Sequence, residues 1–143
     1  MSFTIQPARP DDRHDLAQVY YAARRAHFPW LDPRTVSVHD FEADSTGEIV
    51  HVARATDGRI LGFISVYEPG AFVHLLFVAP GHERQGIGTR LLQSLESWLP
   101  FPHRLKCVQA NAAALAFYQH HGWQIIEPGN DGHMDYFLME KSQ

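Results

Sequence analysis

The sequence predicts an α+β fold, a mixed but mostly antiparallel central sheet of about seven strands with helices on both faces. Three observations carry that prediction. Two β-rich stretches, Ile49–Ala55 and Ile60–Tyr67, meet at Asp57-Gly58, a hairpin dipeptide. Apolar residues at helical spacing interrupt the strands rather than following them as a block, so helices must cover the sheet. Hydrophobic residues make up 45% and charged residues 20%, an ordinary globular balance that argues against disorder and coiled coil.

Taken in order, Phe3–Pro7 alternates and reads as a strand. Asp11 and Asp12 supply cap and first-turn acids to a helix in which Leu16, Val19, Tyr20 and Ala23 recur at helical spacing, to about Ala26. Pro29 and Pro33 stop it, because each removes a donor and constrains its predecessor. Ser37 with Asp40 three residues on marks a short second helix through about Ala43. After the hairpin, Pro69-Gly70 turns the chain into Phe72–Val78, a nearly continuous apolar run expected of a central strand buried on both faces. From Gly86, the spacing of Ile87, Leu91, Leu92, Leu95 and Trp98 gives an amphipathic helix, stopped by Pro100 and Pro102. Residues 104–109 read as a strand, and Asn111 caps a helix that ends at Gly122. Strands at 123–126 and 135–139 close the chain around a turn-rich segment, 128–132. The expected order is β-α-α-β-β-β-α-β-α-β-β in a single domain, residues 1–143.

With 143 residues the chain can bury one real core. Its net charge is −4 and its basic residues are scattered, so the cationic footprint that nucleic-acid binding needs is absent. The longest apolar runs are too short to cross a bilayer, and residues 1–6 lack a secretory pattern. A cytoplasmic protein with no nucleic-acid or membrane partner is the expectation. The lone Cys107 lies mid-strand among apolar neighbours and reads as a buried thiol. Ten histidines raise the question of metal, but no pair sits at ligand spacing on a helix face, and no metal is expected.

Residues 78–89 form a strand, a short loop and a helix start. Glycines at such a junction let the backbone approach an anion, and the first free N–H groups of the helix point at it. Gly81 and Gly86 have the separation of a P-loop, but Ile87 stands where its lysine belongs. A dinucleotide loop fails as well, since Leu91 fills its third glycine position.

Leu76-Phe77-Val78-Ala79-Pro80, running into Arg84-Gln85-Gly86-Ile87-Gly88 and Leu91-Leu92, resembles the acetyl-CoA loop of the GNAT superfamily of N-acetyltransferases. That loop has the form Gln/Arg-x-x-Gly-x-Gly/Ala. Asn111 through Tyr118, with His121-Gly122-Trp123, resembles the second signature of the same family, and residues 5–12 resemble its first strand and helix cap. The likeness covers the chain from end to end. It implies the GNAT fold, acetyl-CoA as acyl donor, and donor contacts at Leu76, Phe77, Val78, Arg84, Gln85, Gly86, Ile87, Gly88, Thr89, Asn111 and Phe117. It further implies that strand 72–78 splays from strand 104–109, exposing main chain near Phe77 and Val78 to the pantetheine arm. One position departs from the pattern: Glu83 stands where the family has Gln or Arg, next to the expected pyrophosphate.

The expected activity is N-acetyl transfer to a primary amine of a small molecule, peptide or protein. A non-catalytic CoA-binding sensor is the alternative. Tyr118 matches the family's tyrosine at the CoA sulfur and is the expected general acid. The base stays open: His74 is the first candidate, with alternation placing it on one strand face with Leu76 and Val78, and Glu68, Asp40 or water are alternatives. Phe28 and Trp30, between prolines, fall where the family has an acceptor-site lid. Asp40, Glu42, Asp44 and Glu48 form an acidic stretch expected to attract the ammonium, with Asp40 as its substrate contact. A homodimer is compatible with the resemblance.

Overall fold

The computed structural model describes residues 2–143. Seven strands form: β1 (Phe3–Pro7), β2 (Ile49–Ala55), β3 (Ile60–Tyr67), β4 (Phe72–Val78), β5 (His103–Val108), β6 (Gln124–Asn130) and β7 (Asp135–Lys141). Four helices lie between them: α1 (Arg13–His27), α2 (Asp40–Ser45), α3 (Ile87–Ser94) and α4 (Ala112–His120). Their order along the chain is the expected one. In space the strands run β1-β2-β3-β4-β5-β7-β6, antiparallel except where β4 meets β5.

Local chemistry explains most boundaries. α2 starts at Asp40, three residues after the expected Ser37: the Ser37 N–H donates to the Asp40 carboxylate across the turn that precedes the helix, and the N-cap residue, His39, makes no side-chain cap. The Asn111 side chain accepts from the Ala114 N–H and caps α4. The end of β6 differs from expectation, since the strand continues through Pro128, Gly129 and Asn130 rather than turning there. β6 is an edge strand, where a proline forfeits no ladder bond if its missing N–H faces outward. The Tyr136 ring lies across Gly129, so close that a Cβ there would fall 2.4 Å from it. The glycine thus serves a cross-strand contact, not a turn.

Burial divides into two layers. On one face, Leu16 and Tyr20 of α1 and Phe41 of α2 pack on Val52, Phe63 and Leu75. On the other, Ile87, Leu91 and Leu92 of α3, together with Leu95, pack on Ile64, Val66, Val73 and Leu105. The sheet approaches α3 closely at Gly62, where a Cβ would lie 2.8 Å from the Phe77 carbonyl oxygen and 3.0 Å from Ile87.

At the start of α1 the buried Asp12 accepts hydrogen bonds from Arg54 at 2.6 Å and from the Arg9 N–H at 2.7 Å. Burial works to raise its pKa, but the Arg54 hydrogen bond and charge and the Arg9 N–H outweigh it and hold the carboxyl below its ordinary value. A depressed folded-state value contributes stability above the unfolded value of about 3.9, and that contribution is lost as pH falls through the folded value. Urea midpoints of the wild type should therefore fall more steeply from about pH 6 to about pH 3 than those of Asp12→Asn. Equal slopes would remove Asp12 from the acid response.

Candidate functional site

β4 and β5 pair only at Phe72 with Arg104 and Val73 with Leu105, and beyond those two steps they part. The divergence leaves main-chain N–H and C=O groups on the facing edges of both strands without a ladder partner, and opens a cleft of about 700 Å³. Phe77 and Val78 of β4 and Lys106, Cys107 and Val108 of β5 form opposite walls. Tyr20, Arg24 and His27 of α1, the following Phe28, Trp30 and Leu31, and Asn111, Ala114 and Tyr118 complete its lining. A larger groove, about 940 Å³, lies between α1, α2 and the start of β2 and is lined by no residue of the glycine loop or of the 111–123 signature.

Tyr118 is held on α4 by edge contacts to Phe117 and Trp123. Among the described residues its hydroxyl has no protein hydrogen-bond partner, so the O–H is left for the cleft. Burial first, then the neighbouring Cys107, push its pKa well above the ordinary phenol value. The same burial pushes the Cys107 thiol up to about 11, which keeps it a neutral thiol and a poor nucleophile.

The loop into α3 has an anion-binding shape. Arg84 (φ 64°) and Gly86 (φ 77°) are both left-handed around Gln85, an alternation that turns successive N–H groups inward. Among the described residues, no acceptor outside the helix takes the N–H groups of residues 84–89. Phe117 packs 3.5 Å from where a Gly88 Cβ would stand, and His121 Nε2 lies 3.2 Å from Thr89 Oγ1, so α4 braces the start of α3. Ile87 is buried under the loop and contributes main chain alone.

The Glu83 carboxylate is drawn away from these N–H groups. It accepts from the Gly81 N–H at 2.9 Å and meets His27 Nε2 at 2.7 Å. Its own N–H, His27 and the Gly81 N–H hold its pKa below the usual carboxylate range. The sequence exposed the departure at Glu83 but gave no sign of its partner, which is fifty-six positions earlier.

The family model for the acetyltransferase (GNAT) family matches residues 14–123. The chain belongs to that family. This GNAT protein is 42% identical over 72 residues to the peptidyl-lysine N-acetyltransferase YiaC of Escherichia coli K12. That match spans 50% of the chain and about half the length of the relative, 47%. Among solved structures it is similar to the PaiA N-acetyltransferase of Thermoplasma acidophilum in complex with coenzyme A, with TM-score 0.82 and 20% identity over 100% of both chains. It is also similar to YncA of Salmonella typhimurium with acetyl-CoA, with TM-score 0.73 and 20% identity, covering 99% of this chain and 94% of that one. At these identities the two structures support the GNAT fold.

Two expected positions come out differently. The β3–β4 register steps from Ser65–Leu75 to Val66–Val73, so His74 is an extra residue on β4. The bulge breaks the alternation: Val73, three residues before Leu76, packs with Leu76 and Val78 in the α3 layer, whereas Leu75 and Phe77 pack with α1 and α2. His74 therefore does not share a face with Leu76 and Val78. Its ring reaches Glu48 and still lines the cleft. The second is Asp40, which is absent from the cleft wall. Its carboxylate accepts from the Ser37 N–H and from Arg24 at 3.0 Å, and these, the Ser37 N–H first, hold its pKa down against burial. The rest of the acidic stretch is also engaged, Glu42 with Arg13, Asp44 with the Tyr20 hydroxyl, and Glu48 with Ser65 and His74. The stretch is a set of structural contacts rather than a field directed at a substrate.

Phe28 and Trp30 do reach the cleft together. Their rings stack at 4.8 Å, and Phe28 leans on Phe77 at 5.5 Å.

Proposed function

We propose that this protein is an N-acetyltransferase that moves the acetyl group of acetyl-CoA to the side-chain amine of a peptidyl lysine. The observation that carries the reading is the cleft between β4 and β5, lined together by Tyr118, by the stacked Phe28 and Trp30, and by main chain that has no ladder partner. The likeness to a peptidyl-lysine acetyltransferase supports the choice of acceptor. A lysine suits the aromatic pair, because its methylene stem packs on rings while the ammonium gains from their faces.

In this reading the N–H groups of Gly86, Gly88 and Thr89 hold the pyrophosphate, flanked by Arg84 and Gln85, and Asn111 and Phe117 border the arm. The free edge of β4 at Leu76, Phe77 and Val78 pairs with the pantetheine amides and faces the thioester carbonyl. A lysine amine, with a pKa of about 10.4, must lose a proton before it can attack. His74 accepts that proton. The amine nitrogen then bonds to the carbonyl carbon, the carbon–sulfur bond breaks, and the nitrogen sheds its second proton as the sulfur gains one. Tyr118 faces the sulfur. A phenol above about 10 gives its proton uphill to a thiolate of about 8.5. Its part is therefore a hydrogen bond that strengthens as sulfur charge develops, and the proton that the sulfur gains comes from the attacking nitrogen or solvent. All these residues come from one chain, so the reading requires no second copy. Buried, reduced Cys107 fits a cytoplasmic setting, and no helix among the described residues is long and apolar enough to cross a membrane.

The decisive experiment follows thiol release from acetyl-CoA with a blocked peptide carrying one lysine, alongside polyamines and free amino acids. Lysine-dependent release with a matching acetyl mass on the peptide is the expected result. Acetyl-CoA binding with no amine-dependent release would instead indicate a CoA-binding sensor.

A further inference from the structure

Three neighbouring strands bring a buried polar cluster together behind the cleft. Ser65 is fully buried in the middle of β3, within a run otherwise almost wholly apolar. Glu48, one residue before β2, has a side chain only 9% exposed. The Ser65 hydroxyl donates to Glu48 Oε1, and Glu48 Oε2 lies 2.7 Å from His74 Nδ1. His74 is the bulged residue of β4 and reaches from this cluster to the cleft wall, where its side chain is 40% exposed.

An ionised carboxylate only accepts hydrogen bonds, so the proton of a neutral His74 must sit on Nδ1. That leaves Nε2 as the ring nitrogen with a lone pair, and no protein group takes it among the described residues. The bulge supplies the reach, since it adds a residue where the ladder would otherwise have fixed the side chain in register. Ser65 supplies the choice of oxygen: by occupying Oε1 it leaves Oε2 for the ring.

We propose that Glu48 is a positioning residue, clamped by Ser65, that fixes His74 in the Nδ1–H tautomer with Nε2 presented to the acceptor amine. The inference rests on the reading of His74 as the base. The logic matches that of a carboxylate behind a catalytic histidine, where replacing the acid with its amide leaves the shape but selects the wrong tautomer. In Glu48→Gln, Ser65 still donates to the amide oxygen, the NH₂ turns toward Nδ1, and the proton moves to Nε2.

The test combines imidazole ¹⁵N spectra with kinetics on acetyl-CoA and a blocked single-lysine peptide. Wild-type His74 should show the Nδ1–H tautomer when neutral, and Glu48→Gln should show Nε2–H. Glu48→Gln should lose about ten- to a hundredfold in kcat, with the KM for acetyl-CoA held. In a His74→Ala background the same substitution should cost nothing further, because both changes remove one function. Ser65→Ala should fall between wild type and Glu48→Gln. If His74→Ala lowers kcat but Glu48→Gln does not, the positioning role is overturned and the base survives. If His74→Ala leaves kcat unchanged, both fall. An additive double variant also overturns the proposal, since Glu48 would then act elsewhere. A wild-type ring found in the Nε2–H form overturns it without any variant, so neither misfolding of a variant nor the wrong acceptor leaves the question open.

Discussion

Tyr118→Phe should lower kcat at least about tenfold, and by as much as about 10²- to 10³-fold, the range for losing one preorganised hydrogen-bond donor to developing charge. Acetyl-CoA affinity should stay as in the wild type. The substitution removes one oxygen and keeps the ring that packs edge-on against Phe117 and Trp123. Because the hydroxyl has no protein partner among the described residues, its loss leaves none of their buried groups unsatisfied, and stability should move little. The variant therefore isolates chemistry from folding. Thiol-release kinetics read the loss, and calorimetric titration with acetyl-CoA checks that binding is retained. The raised phenol value adds a pH signature, since Tyr118 stays protonated through the alkaline range and should contribute no falling limb there. An unchanged kcat would falsify the assignment of this hydroxyl to the leaving sulfur.

Phe63→Ala should cost about 3–5 kcal/mol of folding stability. Phe63 is fully buried on β3 and touches three other rings, Tyr20 at 6.1 Å, Phe41 at 5.3 Å and Phe77 at 5.9 Å. Those rings belong to α1, α2 and β4, so one side chain ties both helices of that layer to the central strand. Aromatic contacts of this kind add about 0.5–1.5 kcal/mol each beyond simple burial. A domain of this size holds about 5–15 kcal/mol in all, so the variant should approach its unfolding threshold at ordinary temperature. Urea titration at a fixed m-value gives the measurement, and a loss below about 1 kcal/mol would mean that the layer collapses around the gap. The KM for the peptide should rise as well, because Tyr20 and Phe77 line the cleft and rest on Phe63.

Element order was legible in the sequence because its signals are local. Period-two alternation, helical spacing, Asp57-Gly58 and the prolines each act within a few residues, and β2, β3 and β4 end where those signals end. What escaped was non-local. The bulge at His74 belongs to the pairing of two strands, so reading β4 alone put the ring on the wrong face. The acidic stretch looked like a solvated or substrate-facing run, and its partners Arg24, Tyr20 and Ser65 lie far off in the chain. One trace was present: Ser65, a lone hydroxyl inside the apolar run 60–66, required a partner from elsewhere. At Glu83 the departure from the family pattern was plain, but the contact with His27 that turns its charge aside depends on how α1 ends.

A sheet ordinarily has two borders, and this one has four. Where β4 leaves β5, two further borders run through the middle of the molecule. The outer borders, β1 and β6, face the solvent and any stray strand of another chain. The inner pair is screened by Tyr118, Phe28 and Trp30, and a visitor must be slender and carry its own amides to fit. In solution those inner groups bond to water, so entry trades one set of hydrogen bonds for another at little net gain per bond. Discrimination at this border therefore depends on width and on the spacing of amides along the visitor, and hydrogen-bond strength contributes little to it.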